Sequence, residues 1–327
     1  MARSLVSVVM CTYKRAHLLP RSVDSVIAQT YRPIELVLTN DGSPDDTPRV
    51  MEELSLKCRA AGVEPNFASQ ENGGVARARN AGLKRVNGEF VAFLDDDDTW
   101  LPAKIEKQVA EIEKTKSDAC CCQLLWVRER DERPMPRTPD ELLRGLDPGA
   151  FVSREHDAHI NSIMVRAALL GAIGEFDPAT TPWDDTVWIV QALHEARFCA
   201  VPEILGRYEY TAGSLFKFDG FEKMLLRDEK QLNGLLAMKA KCGKMSAWNE
   251  GAWRKRLTQD FDQFIKHRLY AGDLAGADRF YAQALELGAV AESLRRTRSK
   301  MRKAWWLSLI GLRLRHPKFR EIAQVKG

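Results

Sequence analysis

The chain has 327 residues, 45% hydrophobic and 29% charged, with a formal net charge of +4. That length suits one large α/β domain, or one domain with a smaller appendage, and the composition is ordinary for a globular protein. The charge is too small to argue for a nucleic-acid partner, and no recognised nucleic-acid module is present.

Seven cysteines occur, three of them adjacent at Cys120, Cys121 and Cys122. They offer neither a disulfide framework nor zinc spacing, and read as small hydrophobes in a reduced, cytoplasmic protein. The opening MARSLVSVVMCTYKR has an apolar run only from Leu5 to Cys11, with no cleavage-like site behind it. It reads as a first strand rather than a signal peptide. No apolar run approaches the roughly 20 residues that span a bilayer.

Strand patterns at 5–11, 34–40, 66–69 and 90–94 alternate with helical patterns at 17–29, 46–61, 75–86 and 102–115. Such alternation implies βαβ units and a parallel sheet, in which ligands bind beyond the carboxyl ends of the strands. Four polar loops fall at that end: Thr12-Tyr13-Lys14-Arg15, Asn40-Asp41-Gly42-Ser43, Glu71-Asn72-Gly73-Gly74 and Asp95–Asp98. Residues 128–149, rich in Pro, Arg and Asp, read as a loop. A strand, short helix and turn are expected over 159–177, then a turn entering a helix over 181–198, with Asp184 and Asp185 near its start. A last strand is expected at 201–210. From about 216 the sequence is helical and rich in Lys and Arg, so a boundary is placed near 215, between a first domain (1–215) and a basic helical region (216–327).

The run FVAFLDDDDTW, residues 90–100, has three readings. One or two aspartates suffice to favour the N-terminus of the helix that follows. Asp95-x-Asp97-x-Thr99 matches the opening motif of haloacid-dehalogenase-like phosphatases, but there the motif follows the first strand of the core, whereas three βα units precede it here. The third reading is a divalent-metal site for a nucleotide diphosphate, since Mg²⁺ or Mn²⁺ binds carboxylates together with phosphate oxygens.

Several segments in order carry a resemblance to a known family. SVVMCTYKRAHLLPRSVDSVIAQTYRPIELVLTNDGSPDDT, NGGVARARNAGLKRVNGEFVAFLDDDDTWLP, INSIMVRAALLGAIGEFD and PWDDTVWIVQALHEARFCAVPEILGRYEYTAGS together resemble a family 2 inverting glycosyltransferase, over roughly residues 4–214. The resemblance implies a GT-A-type, Rossmann-like, mostly parallel sheet flanked by helices, followed by a C-terminal helical extension. It implies transfer of a sugar from a nucleotide sugar, UDP-linked by expectation, to a hydroxyl of a glycan or lipid-linked acceptor, with Mn²⁺ or Mg²⁺ as cofactor. Asp41 would accept from the base, with Thr12, Tyr13 and Arg15 around the donor. Asn72 and Arg79 match positions near the base and diphosphate, and Arg77 competes for the place of Arg79. Asp95 matches the ribose-side carboxylate and Asp97 the principal metal ligand, which makes Asp95 and Asp97 the expected metal pair; Asp96 stands beside them.

Asp184-Asp185 falls where the family has Glu-Asp, so Asp185 is the expected base, with Asp184 beside it; capping of the following helix is the competing role. Trp183, His159 and Asn161 are expected to touch the acceptor. Two positions depart from the pattern: Lys14 replaces an Asn, and Thr211 stands where a metal-side histidine is common.

The segment 295–320 contains ten Lys or Arg and no acid around an apolar centre with Trp305 and Trp306. Two roles remain open for it. It lies on the inner face of an anionic membrane as an interfacial helix, or Trp305, Leu309 and Leu312 pack onto the catalytic domain. Three readings other than a glycosyltransferase are a sugar nucleotidyltransferase, the phosphatase above, and a non-catalytic nucleotide- or glycan-binding protein. A nucleotidyltransferase usually has a Gly-rich loop after its first strand, and CTYKRAHLL has no glycine.

Overall fold

The computed structural model describes residues 3–128, 131–136, 138–154, 158–209, 220–312 and 314. Four βα units open the chain: β1 (Val6–Thr12), α1 (Leu19–Ile27), β2 (Ile34–Asn40), α2 (Thr47–Ala60), β3 (Val63–Ser69), α3 (Val75–Leu83), β4 (Phe90–Phe93), the two-residue β5 (Thr99–Trp100) and α4 (Lys104–Thr115). Then come β6 (Ala119–Arg128), β7 (Asp131–Met135), α5 (Pro139–Gly145), α6 (Pro148–Val152), β8 (Met164–Arg166), α7 (Leu170–Ile173), α8 (Asp184–Glu195) and β9 (Phe198–Glu209). Among the described residues four helices follow: α9 (Phe221–Cys242), α10 (Glu250–Ala271), α11 (Leu274–Glu286) and α12 (Arg295–Leu309).

The strands form one sheet in the order β3-β2-β1-β4-β8-β6-β9-β5, with β7 beside β6. The pairs β2–β3, β1–β2 and β1–β4 are parallel, as alternation with helices predicts. The second half is mixed, because β8 runs antiparallel to both β4 and β6. The chain winds outward from β1 to β3 and then returns to the other side of β1 as β4. The crevice at the carboxyl ends of β1 and β4 is therefore the topological switch point, where open α/β sheets bind ligands.

Side chains alternate across the sheet. Val9, Val37, Val91 and Phe93 enter one apolar cluster, and Val8, Leu36, Phe90 and Ala92 the other. The three adjacent cysteines follow the same rule on β6: Cys121 joins the first cluster and Cys120 and Cys122 the second. All seven cysteines are free thiols. The first cluster also takes in Leu232, Trp253, Phe261, Phe264 and Phe280 from α9–α11, so those helices share a core with the sheet. The expected boundary near 215 lies outside the described residues.

The segment 128–149 departs from its expected loop. It holds the β6–β7 hairpin and helices α5 and α6. Among the described residues β7 pairs with β6 alone, so its edge position needs no donor from Pro134. The helix α5 starts on a capping box: Thr138 Oγ1 accepts from Glu141 N at 3.2 Å while the Glu141 carboxylate accepts from Thr138 N at 3.2 Å. The strand expected at 201–210 begins already at Phe198.

The packing reading of the basic tail also needs correction. The stripe of α12 that packs inward is Leu294 (its N-cap), Thr297, Met301 and Ala304, whereas Trp305, Leu309 and Leu312 are exposed. Residue 313 and residues 315–320 of the expected membrane segment lie outside the described residues. No helix among the described residues is long and apolar enough to cross a membrane.

Candidate active site

The loop after β4 is held from outside by α1. Ser22 Oγ donates to the Asp96 carbonyl at 2.8 Å, and the Arg21 guanidinium donates to the Asp97 carbonyl. Arg15, in the loop after β1, reaches the carboxylates of Asp96 at 2.7 Å and Asp97 at 2.9 Å. Burial pushes the Asp96 carboxyl up to about 6, against the pull of Arg15. Arg15, expected at the donor, thus joins two aspartates of the loop.

Arg79 sits on α3 and is buried, while Arg77 is exposed. Its guanidinium donates to Asp95 at 2.8 Å and to Asp184 at 2.9 Å, and lies 5.4 Å from the Phe176 ring centroid. Of the two arginines, Arg79 is the one that lies between Asp95 and Asp184. Burial opposes charge on Asp95, but Arg79 outweighs it and holds that carboxyl below the usual carboxylate range. One cation so joins the parallel half of the sheet to the start of α8.

Asp41 is buried and clamps the loop after β3. Its carboxylate accepts from Gln70 at 2.8 Å, Gly73 N at 2.9 Å and Gly74 N at 2.8 Å; its carbonyl accepts from Asn72 at 2.9 Å. The next residue, Gly42, has φ +70°, and a Cβ there would lie 2.8 Å from Asn72 N. Only glycine fits that close approach. Thr12 is buried at the end of β1, whereas Tyr13 is exposed with the Lys14 ammonium 4.9 Å from its ring centroid. Lys14 N donates to Ser43 Oγ at 3.0 Å, which ties the first two loops together.

From the mixed half, Asp184 and Asp185 occupy the first turn of α8, and neither caps it: the N-cap is Trp183, without a side-chain cap bond. Asp184 is buried on Arg79, and Asp185 is half-buried, accepting from Thr186 N at 2.6 Å. Burial raises both carboxyls against the pull of Arg79, and the charge of Asp95 adds to the rise at Asp185. Trp183 packs on α9, where a Cβ added to Gly234 would lie 3.0 Å from its Cβ, and Arg154 stands 5.3 Å from its ring centroid.

Asn161 is only 1% exposed. Its amide oxygen accepts from Asp95 N at 3.1 Å and its amide nitrogen donates to the Asp98 carboxylate. It thus props the aspartate loop from beneath. His159 stacks obliquely on Tyr208, with ring centroids 4.3 Å apart.

One group of potential metal ligands occurs among the described residues: ligand atoms of Asp95, Asp98 and His159 lie within 4.8 Å of one another. Asp97 is not in that group. Asp98 is buried, accepts from Glu209 N at 2.7 Å, and has its carboxyl pushed well above the usual range by burial and by Asp97 and Asp95. Two carboxylates and an imidazole crowded this way fit a divalent cation, which would relieve their repulsion. Composition alone did not single out Asp98 or His159 as partners. The position expected of a metal-side histidine, Thr211, lies outside the described residues.

An acidic crevice thus lies at the switch point of the α/β sheet, with a second acidic pair beside it on the first turn of α8. Residues 7–168 match the model of glycosyl transferase family 2. An uncharacterised glycosyltransferase of Rickettsia prowazekii is 30% identical over 177 residues, 53% of this chain and 54% of that protein. The chain thus spans about half the length of the first curated relatives it matches. The Escherichia coli UDP-Glc:alpha-D-GlcNAc-diphosphoundecaprenol beta-1,3-glucosyltransferase WfaP is 34% identical over 112 residues, 34% of this chain and 43% of that protein.

Among solved structures, S. aureus TarS with UDP-GlcNAc superposes with a TM-score of 0.55 at 18% identity, covering 86% of this chain and 90% of that one. The mannosyltransferase PcManGT of Pyrobaculum calidifontis, with GDP-Man and Mn²⁺, gives 0.55 at 19% identity, covering 91% and 80%. At these identities the likeness is one of fold.

Proposed function

We propose that the protein is an inverting glycosyltransferase that moves a sugar from a UDP-type donor to a hydroxyl of a glycan or lipid-linked acceptor. The observation that carries this reading is the Arg79 bridge, which sets the donor-side Asp95 beside the acid pair Asp184-Asp185. Support for the donor comes from the UDP-sugar named for WfaP and TarS, and for the acceptor from the lipid diphosphate named for WfaP.

In this reading Asp185 takes the proton of the acceptor hydroxyl while that oxygen attacks C1 of the donor sugar. The bond from C1 to the diphosphate oxygen breaks, the nucleoside diphosphate leaves, and configuration inverts in one displacement. The raised proton affinity of Asp185 suits a base. Asp41 shapes the base side of the donor pocket through the loops it clamps. Arg79 keeps Asp95 ionised and Asp184 fixed, so that Asp185 keeps its orientation.

Asp95, Asp98 and His159 would hold a divalent cation, which supplies neutralisation of the leaving diphosphate. A nitrogen ligand favours Mn²⁺ over Mg²⁺, which demands oxygen.

The test is a thermal-shift panel of nucleotides and nucleotide sugars with and without Mn²⁺. Mn²⁺-dependent stabilisation by UDP is expected. Stabilisation by no nucleotide would overturn the proposal.

A further inference from the structure

We propose that the C-terminal end of α12 docks on an anionic lipid surface, with Trp306 and Leu309 entering the headgroup region beneath a collar of cations. The helix is held to the protein by one face, through Leu294 at its N-cap, Thr297, Met301 and Ala304. Thr297 Oγ1 donates to the Asp262 carboxylate of α10, which fixes the rotation of α12.

With that rotation fixed, helical spacing puts Arg295, Arg302, Trp306 and Leu309 on the opposite, outward face. Cations occupy the first part of that face and apolar groups the last. Trp305, Trp306, Leu309, Ile310 and Leu312 are 52%, 65%, 59%, 69% and 53% exposed. Five large apolar side chains within eight residues are far more than scattered surface hydrophobics need.

Two observations select lipid over a protein partner. First, α12 carries Arg295, Arg296, Arg298, Lys300, Arg302 and Lys303 and no acid. Arg296, Lys300, Arg302 and Lys303 have no ion-pair partner among the described residues, so a second copy of the same face would meet like charge. Second, the patch combines paired indoles, whose centroids lie 5.1 Å apart at 77°, with flanking cations. Amphipathic rings beside Lys and Arg suit the interface of an anionic bilayer.

The experiment uses the full chain and large unilamellar vesicles of phosphatidylcholine, with or without about 30 mol% phosphatidylglycerol. Co-sedimentation with the anionic vesicles is expected, weakening as salt rises from about 0.1 M to about 0.5 M. Lipids brominated near the headgroup should quench tryptophan fluorescence on binding. The Trp305→Ser/Trp306→Ser variant should bind at least about tenfold more weakly and lose that quenching, and Arg302→Glu/Lys303→Glu should bind more weakly by about as much. Because these side chains are exposed, an unchanged Tm and far-UV CD spectrum check that the variants remain folded.

Equal binding to neutral and anionic vesicles, wild-type binding by the tryptophan variant, or no vesicle binding would each overturn the proposal. So would self-association that the tryptophan variant abolishes without any affinity for vesicles. No nucleotide enters the assay, so its failure is separate from failure of the donor reading.

Discussion

Asp95 and Asp184, from opposite halves of the sheet, share one guanidinium: Arg79 donates to the first at 2.8 Å and to the second at 2.9 Å. A lysine is a point charge that cannot fork between two carboxylates. Arg79→Lys is expected to lower turnover by about 10²-fold, the scale for a lost positioned donor. Arg79→Ala leaves buried carboxylates without their cation and should also destabilise the fold, by roughly 3–5 kcal/mol. Steady-state kinetics and denaturant melts check both; wild-type turnover in Arg79→Lys would remove the bridge from the mechanism.

Replacing the proposed base separates chemistry from binding. Asp185→Asn should reduce kcat by about 10²–10⁴-fold while Mn²⁺-dependent UDP binding stays within a few fold. The Asp185 carboxyl is raised by burial. Activity, which needs the carboxylate, is therefore lost on the acid side at a pH above the ordinary aspartate value of about 4. A raised folded-state value also means that ionisation costs stability as pH rises through it. Asp185→Asn should consequently melt no lower than wild type near pH 8.

The two candidate ligand sets give different outcomes. If Asp95, Asp98 and His159 hold the cation, Asp98→Asn and His159→Ala should each raise the Mn²⁺ concentration for half-maximal UDP stabilisation by about 10–100-fold. Asp97→Asn, whose carboxylate rests on Arg15, should change it little. The reverse ranking, read by thermal shift across a Mn²⁺ titration, would restore the Asp95–Asp97 pair.

At the other end of the sheet, Glu35 on β2 is buried and accepts from Ser7 Oγ and from the Asn87 backbone and side chain, the latter two at 2.5 Å and 3.0 Å. Burial opposes its charge, but these donors prevail and lower its folded-state value below 4.5. Its stabilisation is present above the unfolded value and lost as pH falls through the folded one. Glu35→Gln should cost about 1–3 kcal/mol near pH 7, and the difference should shrink toward pH 3. Urea melts of both proteins at the two pH values measure it.

Much of this architecture was legible in the residues. Apolar runs alternating with helical patterns put the first four strands in place, and the polar loops behind them did converge on one end of the sheet. The hairpin and short helices of 128–149 were missed because prolines and charges dominate a short window. The Thr138-Pro139-x-Glu141 capping box was nonetheless a local signal. Arg77 and Arg79 are two residues apart on one helix, about 200° around it, and only the placement of Asp184 decides which one enters the cleft. Within the aspartate run, the roles of Asp96 and Asp98 rest on Arg15, Asn161 and Glu209. Those are long-range partners that no local spacing announces. In the tail, the helical pattern was visible but its rotation was not: Thr297 and Ala304 face inward, and the tryptophans turn out.

The thiols of β6 have a further use. Six of the seven cysteines are buried, Cys120, Cys121 and Cys122 among them on both faces of a central strand, and only Cys11 is partly accessible. A maleimide cannot reach Cys120–Cys122 until β6 separates from its neighbours. Labelling of that cluster, counted by mass, therefore times the opening of the sheet itself. The triple cysteine acts as a built-in clock for the separation of β6 from β8 and β9.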